Sequence, residues 1–164
     1  SQLERIRASL NLTPQGQGTD MSGHVGARPC TLSVTELGEV VHGVSDVRIR
    51  DCLLWSLSRA DDLRLVVPPL VQCLRATPDA WLPPLASCVA VAIWLTGDGA
   101  RATIALERAL AMDAEYSLAR LLDVALRSGM PPTRWAAMMA DLSEAECRGV
   151  VSIGGSLPSP ARAL

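Results

Sequence analysis

Residues 85–129, LASCVAVAIWLTGDGARATIALERALAMDAEYSLARLLDVALRSG, constrain the fold more than any other stretch of the chain. From Leu85 to Thr96 the chain is apolar on nearly every side, with small side chains at Ala86, Ala90 and Ala92. A helix apolar all round and about three turns long belongs in a core, because it is too short to span a bilayer. Gly97 stops it, since the left-handed conformation that ends helices is cheap only for glycine. Asp98 is placed to cap a second helix over 100–112, in which Ala102, Ala105, Leu106 and Ala109 share one stripe. Asp113 is expected to cap a third helix over 114–127, gathering Leu118, Ala119, Leu122 and Leu126, with Gly129 after its end. On its far face Asp123 precedes Arg127 at the favourable acid-before-base spacing. Ala90, Ala102 and Ala109 fall where two antiparallel helices must approach closely, so the pattern predicts a tight helical hairpin.

The flanks read as helices too. Residues 1–10 could form a short helix on Leu3, Ile6, Arg7 and Leu10, followed by a Gly-, Gln- and Ser-rich stretch to Pro29 without periodicity. Met21 within that stretch could be a natural start. Ser33 and Glu36 form a capping box that opens a helix over 34–42. Ser45 or Asp46 caps another over about 47–60, with Ile49, Leu53, Leu54 and Leu57 inward and Arg48, Asp51, Trp55 and Arg59 on another face. Asp61-Asp62 marks a helix start that Pro68-Pro69 is expected to kink or break. Thr77-Pro78 opens a short turn, and Pro83-Pro84 leads into the hairpin. Downstream, Pro131-Pro132-Thr133 opens a helix to about Ala140, and Ser143 and Glu146 form a second capping box. No useful length of chain alternates with period two, so strands are not needed.

Composition excludes several functions. Net charge is −2 with acids and bases interspersed, and all fifteen basic residues are arginine. Without a basic stripe, electrostatic binding to nucleic acid is not expected as the main function. No apolar run is long enough for a transmembrane helix. Cys30, Cys52, Cys73, Cys88 and Cys147 make an odd set with no C-x-x-C pair. In the absence of a secretory signal they read as reduced cytosolic thiols acting as small buried hydrophobes.

Candidate chemistry is sparse. His24 and His42 have no Cys, Asp or Glu at metal-ligand spacing and read as surface residues. Gly97-Asp98-Gly99 resembles a phosphate cradle only superficially, because a capping carboxylate repels an anion. Gly154-Gly155 is followed by prolines rather than a helix. Asp61-Asp62 and Glu144/Glu146 sit at helix starts, where the helix dipole accounts for them. Catalytic residues, metal ligands and cofactors are therefore not expected. Contact residues are more promising, because Trp and Arg dominate binding hot spots. Trp55 rides a charged helix face with Arg48 and Arg59. Trp94 lies near the end of the hairpin, where core is the favoured reading and contact the alternative, and Arg101 and Arg108 lie on its second helix. These six are the candidate partner-binding residues, and an acidic peptide across Arg101, Arg108, Arg120 and Arg127 is one candidate mode.

The spacing Ala90, Gly97-Asp98, Ala102, Leu106, Ala109 resembles one tetratricopeptide-type repeat, although Ala86 replaces the usual aromatic and Ala114 the usual closing proline. No good second copy occurs about 34 residues away, which argues against a solenoid. The run GDGARATIALERALAMDAEYSLARLLDVALRSGMPP resembles the C-terminal helical part of an uncharacterised domain family widespread in actinobacteria. The matching motifs lie at 97–102, 105–110 and 116–122. Members of that family often carry an α/β portion further N-terminal. The resemblance implies architecture and host lineage, and no activity.

Together these readings predict an all-α fold, an irregular array of about six to eight short helices around a tetratricopeptide-like hairpin core. Residues 1–30 are expected to be a flexible arm with a short helix, 31–150 the helical domain and 151–164 an irregular tail. The expected function is a non-catalytic protein-interaction or scaffolding domain in the cytoplasm, binding another protein or a second copy of itself. The rivals are a regulatory part of a larger enzyme assembly and a DNA-associated factor.

Overall fold

The apolar run around Val89 becomes the axis of the molecule. The computed structural model describes residues 1–12, 31–147 and 149, and every regular element among them is helical. In order these are α1 (Gln2–Ser9), α2 (Val34–Gly43), α3 (Val47–Leu57), α4 (Leu63–Ala76), α5 (Leu82–Leu95), α6 (Gly99–Met112), α7 (Ser117–Arg127), α8 (Pro132–Ala140) and α9 (Glu144–Cys147), with a 3-10 turn at Asp79–Trp81 before α5. The all-α array of short helices is thus present, with nine members among the described residues. The expectations for 13–30 and 150–164, including Met21, His24, Cys30 and Gly154-Gly155, lie outside the described residues.

Helix α5 is buried from Leu85 through Trp94 and packs against α3, α4, α6, α7 and α8. Its one buried hydroxyl, Ser87 Oγ, donates back to the Pro83 carbonyl at 2.8 Å, so no polar group is left bare in this apolar setting. The α5–α6 hairpin is the most extensive helix pair. Ala90, Ala102 and Ala109 are at most 2% exposed, as close approach of the two rods requires. Gly97 adopts φ +91 and closes α5 in a Schellman motif, its N–H donating to Trp94 and that of Asp98 to Ile93. Asp98 then caps α6 by accepting from the Arg101 N–H at 3.0 Å.

Three expectations are corrected. Residues 1–12 are not an arm: Leu3, Ile6, Leu10 and Leu12 are core, and α1 packs on α2 and α3. Helix α4 runs uninterrupted through Pro68 and Pro69. An interior proline costs about 3 kcal/mol, but Val66, Pro69, Leu70, Cys73 and Leu74 bury a whole face. The Leu65 carbonyl, whose usual donor would be the missing N–H of Pro69, accepts instead from Asn11 Nδ2 at 3.3 Å. Asn11 reaches it from φ +59, a conformation that asparagine tolerates. Finally, α7 starts at Ser117 rather than Ala114, because Asp113 turns the chain locally by accepting from the Glu115 N–H at 3.0 Å. The predicted Asp123–Arg127 pair is present at 2.7 Å, and both capping boxes form, at Ser33/Glu36 and Ser143/Glu146.

Candidate functional site

Helices α1, α3 and α9 and the start of α4 border a cleft of about 610 Å³ around Trp55. Docking of α1 supplies Arg7, the third turn of α3 supplies Trp55 and Ser56, and α9 supplies Glu144. The half-buried Trp55 ring donates its Nε1–H to the Leu142 carbonyl at 2.9 Å. Arg59 stacks over the same ring with its guanidinium carbon 4.2 Å from the ring centroid. From there it donates to the carbonyls of Met139 and Ala140 at 3.1 and 3.2 Å, covering acceptors at the end of α8 that have no intrahelical partner.

Arg7 forms the interior wall. Its side chain is 6% exposed, and its guanidinium lies 5.8 Å from the Trp55 centroid. Nε donates to Ser56 Oγ at 2.9 Å, and Nη1 donates to Glu144 at 2.8 Å and Glu4 at 3.3 Å. Ser56 in turn donates to the Cys52 carbonyl at 2.8 Å. Nη2 is buried with no acceptor among the described residues. A buried donor without a partner forfeits the solvation it had in water, so it is where a ligand acceptor gains most. Asp61 and Asp62 also line the cleft. The side chain and backbone N–H of Arg64 hold the Asp62 carboxyl below the usual carboxylate range.

Helices α6 and α7 also carry large apolar side chains that stand exposed, and Leu121 among them borders a separate cleft with Trp135 and Met139. Ile104, Leu121 and Val124 are 58%, 62% and 66% exposed. On α6 the exposed Arg101 and Arg108 bracket Ile104 at helical spacing. On α7 Arg120 and Arg127 flank Val124, paired with Glu115 and Asp123 at 2.6 and 2.7 Å.

Of the six candidate contact residues, the structure brings Trp55 and Arg59 together in the cleft and Arg101 and Arg108 onto the α6 face. Arg48 is exposed on α3 and does not line the cleft. Of its two readings Trp94 takes the favoured one, core, and leaves the set of contact residues: it is 4% exposed and packs against Trp135 at 6.1 Å between centroids. Sequence reasoning missed Arg7 as a site residue, although a charge on the Leu3, Ile6, Leu10 stripe was the signal. Glu144 stands 137 positions from Arg7, and no local pattern connects the two.

The remaining candidates have structural uses. His42 is exposed and stacks on Trp81 at 6.1 Å. Burial pushes the thiols of Cys73 and Cys88 up to about 12, far from a reactive thiolate. Asp62 and Glu146 are occupied as helix caps. Among the described residues no group of three or more His, Cys, Asp or Glu could hold a metal ion. No helix among them is long and apolar enough to cross a membrane.

No curated protein and no solved structure matches the chain. Residues 1–133 match a family described as a domain of unknown function, DUF4192. That match spans every helix from α1 through α7 and with them the α5 axis, the α1–α3 wall of the cleft and the α6–α7 face, so the chain belongs to the DUF4192 family.

Proposed function

We propose that the chain is a non-catalytic interaction domain that docks another protein on the outer face of α6 and α7. The supporting observation is the exposure of Ile104, Leu121 and Val124, each more than half exposed, on two helices whose inner faces are packed with alanine and leucine. Large apolar side chains left exposed on neighbouring helices favour a partner that covers them. The flanking arginines select for acidic groups in that partner. The Arg120–Glu115 pair is solvent-exposed on both sides, hence weak, and exchanges readily for a partner's carboxylate. The occupant is therefore an amphipathic helix carrying Leu on one face and Glu beside it. The unbridged thiols of Cys73, Cys88 and Cys147 fit a reducing compartment such as the cytoplasm. The motif resemblance supports an actinobacterial host and a tetratricopeptide-like reading of the α5–α6 unit.

Titrating isotope-labelled protein with a designed Leu/Glu amphipathic peptide tests this reading. Shift changes are expected at Ile104, Leu121 and Val124, and the variant carrying Leu121→Glu and Val124→Glu should lose them with its melting midpoint retained. Shift changes centred elsewhere, or none, would overturn it.

A further inference from the structure

We propose that the Trp55 cleft binds a small organic monocarboxylate, its carboxylate taken by the Arg7 guanidinium and its apolar body laid against Trp55. This inference is independent of the α6–α7 docking face and rests on three observations. The first is an incompletely used cation. Arg7 is 6% exposed, its Nε and Nη1 are engaged by Ser56, Glu144 and Glu4, and Nη2 has no acceptor among the described residues. A purely structural arginine buried this deeply usually spends all its donors, because an unspent one costs stability without return.

The second observation is space beside that cation. The cleft of about 610 Å³ falls within the range of small-molecule sites. Its walls combine the Trp55 ring with Leu12 and Leu65 and set them among charged side chains of both signs, Arg7 and Arg59 against Asp61, Asp62 and Glu144. The third is the nature of the neighbour at Nη1. Glu144 already places a carboxylate against Arg7 at 2.8 Å, and its side chain is 34% exposed on the four-residue helix α9. The geometry around Arg7 is therefore compatible with a carboxylate oxygen. Nη2 is closed off from solvent, so a ligand carboxylate reaches the guanidinium by displacing Glu144 toward solvent. Asp61 and Asp62 at the cleft disfavour polyanions, which separates this site from a phosphate or nucleic-acid site.

The test titrates the full chain with phenylacetate and hexanoate, with phenylacetamide and inorganic phosphate as controls, read by calorimetry and by two-dimensional NMR of the tryptophan indole groups. Saturable binding of a carboxylate is expected, with the Trp55 indole resonance moving. Phenylacetamide and phosphate are expected to bind at least about tenfold more weakly, the range of a charge-assisted hydrogen bond. Arg7→Met should weaken carboxylate binding by a similar factor, and Arg134→Met, at an exposed position on α8, should leave it unchanged. Because Arg7→Met also touches α1 docking, Ala60→Trp provides a second variant that fills the cleft and leaves Arg7 in place. It should abolish binding with the melting midpoint retained. Equal binding of acid and amide, no carboxylate binding by the native protein, or full binding by a folded Ala60→Trp variant would overturn the proposal.

Discussion

Replacing Ala109 by Leu isolates the packing that organises this fold. Ala109 is fully buried on α6, the helix that forms the most extensive pair with α5, whereas Ala111 is exposed on the same helix two residues on. The two substitutions add the same three carbons and differ only in where those carbons must go. At Ala109 they meet α5, which is itself buried from Leu85 to Trp94 and cannot yield without disturbing α3, α4, α7 and α8. Overpacking of this kind costs about 1–3 kcal/mol. For a domain of this size that lowers the melting midpoint by roughly 2–4 °C per kcal/mol. At Ala111 the same change alters only helix propensity, and leucine nearly equals alanine on that scale. Thermal unfolding followed by circular dichroism at 222 nm, with urea midpoints as a second measure, should lower Ala109→Leu by several degrees and leave Ala111→Leu within error. Equal midpoints for the two variants would mean that the alanine stripe does not set the spacing of the hairpin.

Two further outcomes follow from particular side chains. Asn11→Gly keeps the left-handed backbone but removes the donor to the Leu65 carbonyl, so it should cost about 1 kcal/mol in urea unfolding and raise hydrogen exchange around Pro69; an unchanged protein would show that water serves that carbonyl equally well. Burial raises the Cys73 and Cys88 thiols from 9.0 to about 12, which means the folded state favours the neutral thiol. The associated stability is fully present below pH 9 and is lost as pH climbs toward 12, at about 1.4 kcal/mol per pH unit for each thiol. Urea midpoints should therefore fall steeply between pH 9 and about 10.5, and the Cys73→Ala, Cys88→Ala double variant should fall less steeply; parallel slopes would refute the assignment.

Much of the architecture was written in local signals that need no tertiary partner. The capping boxes at Ser33 and Ser143, the Gly97 stop, the Asp98 cap and the alanine stripe each act within one or two turns, and each is present. Such signals depend on backbone hydrogen bonding and side-chain size, which the neighbouring residues already specify. Two of the corrected expectations have the opposite cause, whereas the later start of α7 is again a local matter of the Asp113 turn. Whether α4 tolerates Pro68-Pro69 depends on burial of its inner face and on Asn11, which approaches from 54 positions away. Whether residues 1–12 form an arm or a core helix depends on the surface that α2 and α3 offer them, and a short isolated helix would not persist in water. Trp94 illustrates the same limit, since only the arrival of α8 with Trp135 decides that its ring is interior.

The sequence by itself determined that this chain is helical, where most helices begin and end, and which helix carries the core. Periodicity, caps and side-chain volume act over one or two turns and are readable without coordinates. That Arg7 meets Glu144 and Ser56 beside Trp55, with one guanidinium nitrogen left without an acceptor among the described residues, emerges only when the helices pack. Those contacts join residues 49 and 137 positions apart, and their energy comes from burial and charge pairing between elements that the chain cannot specify until its helices have packed.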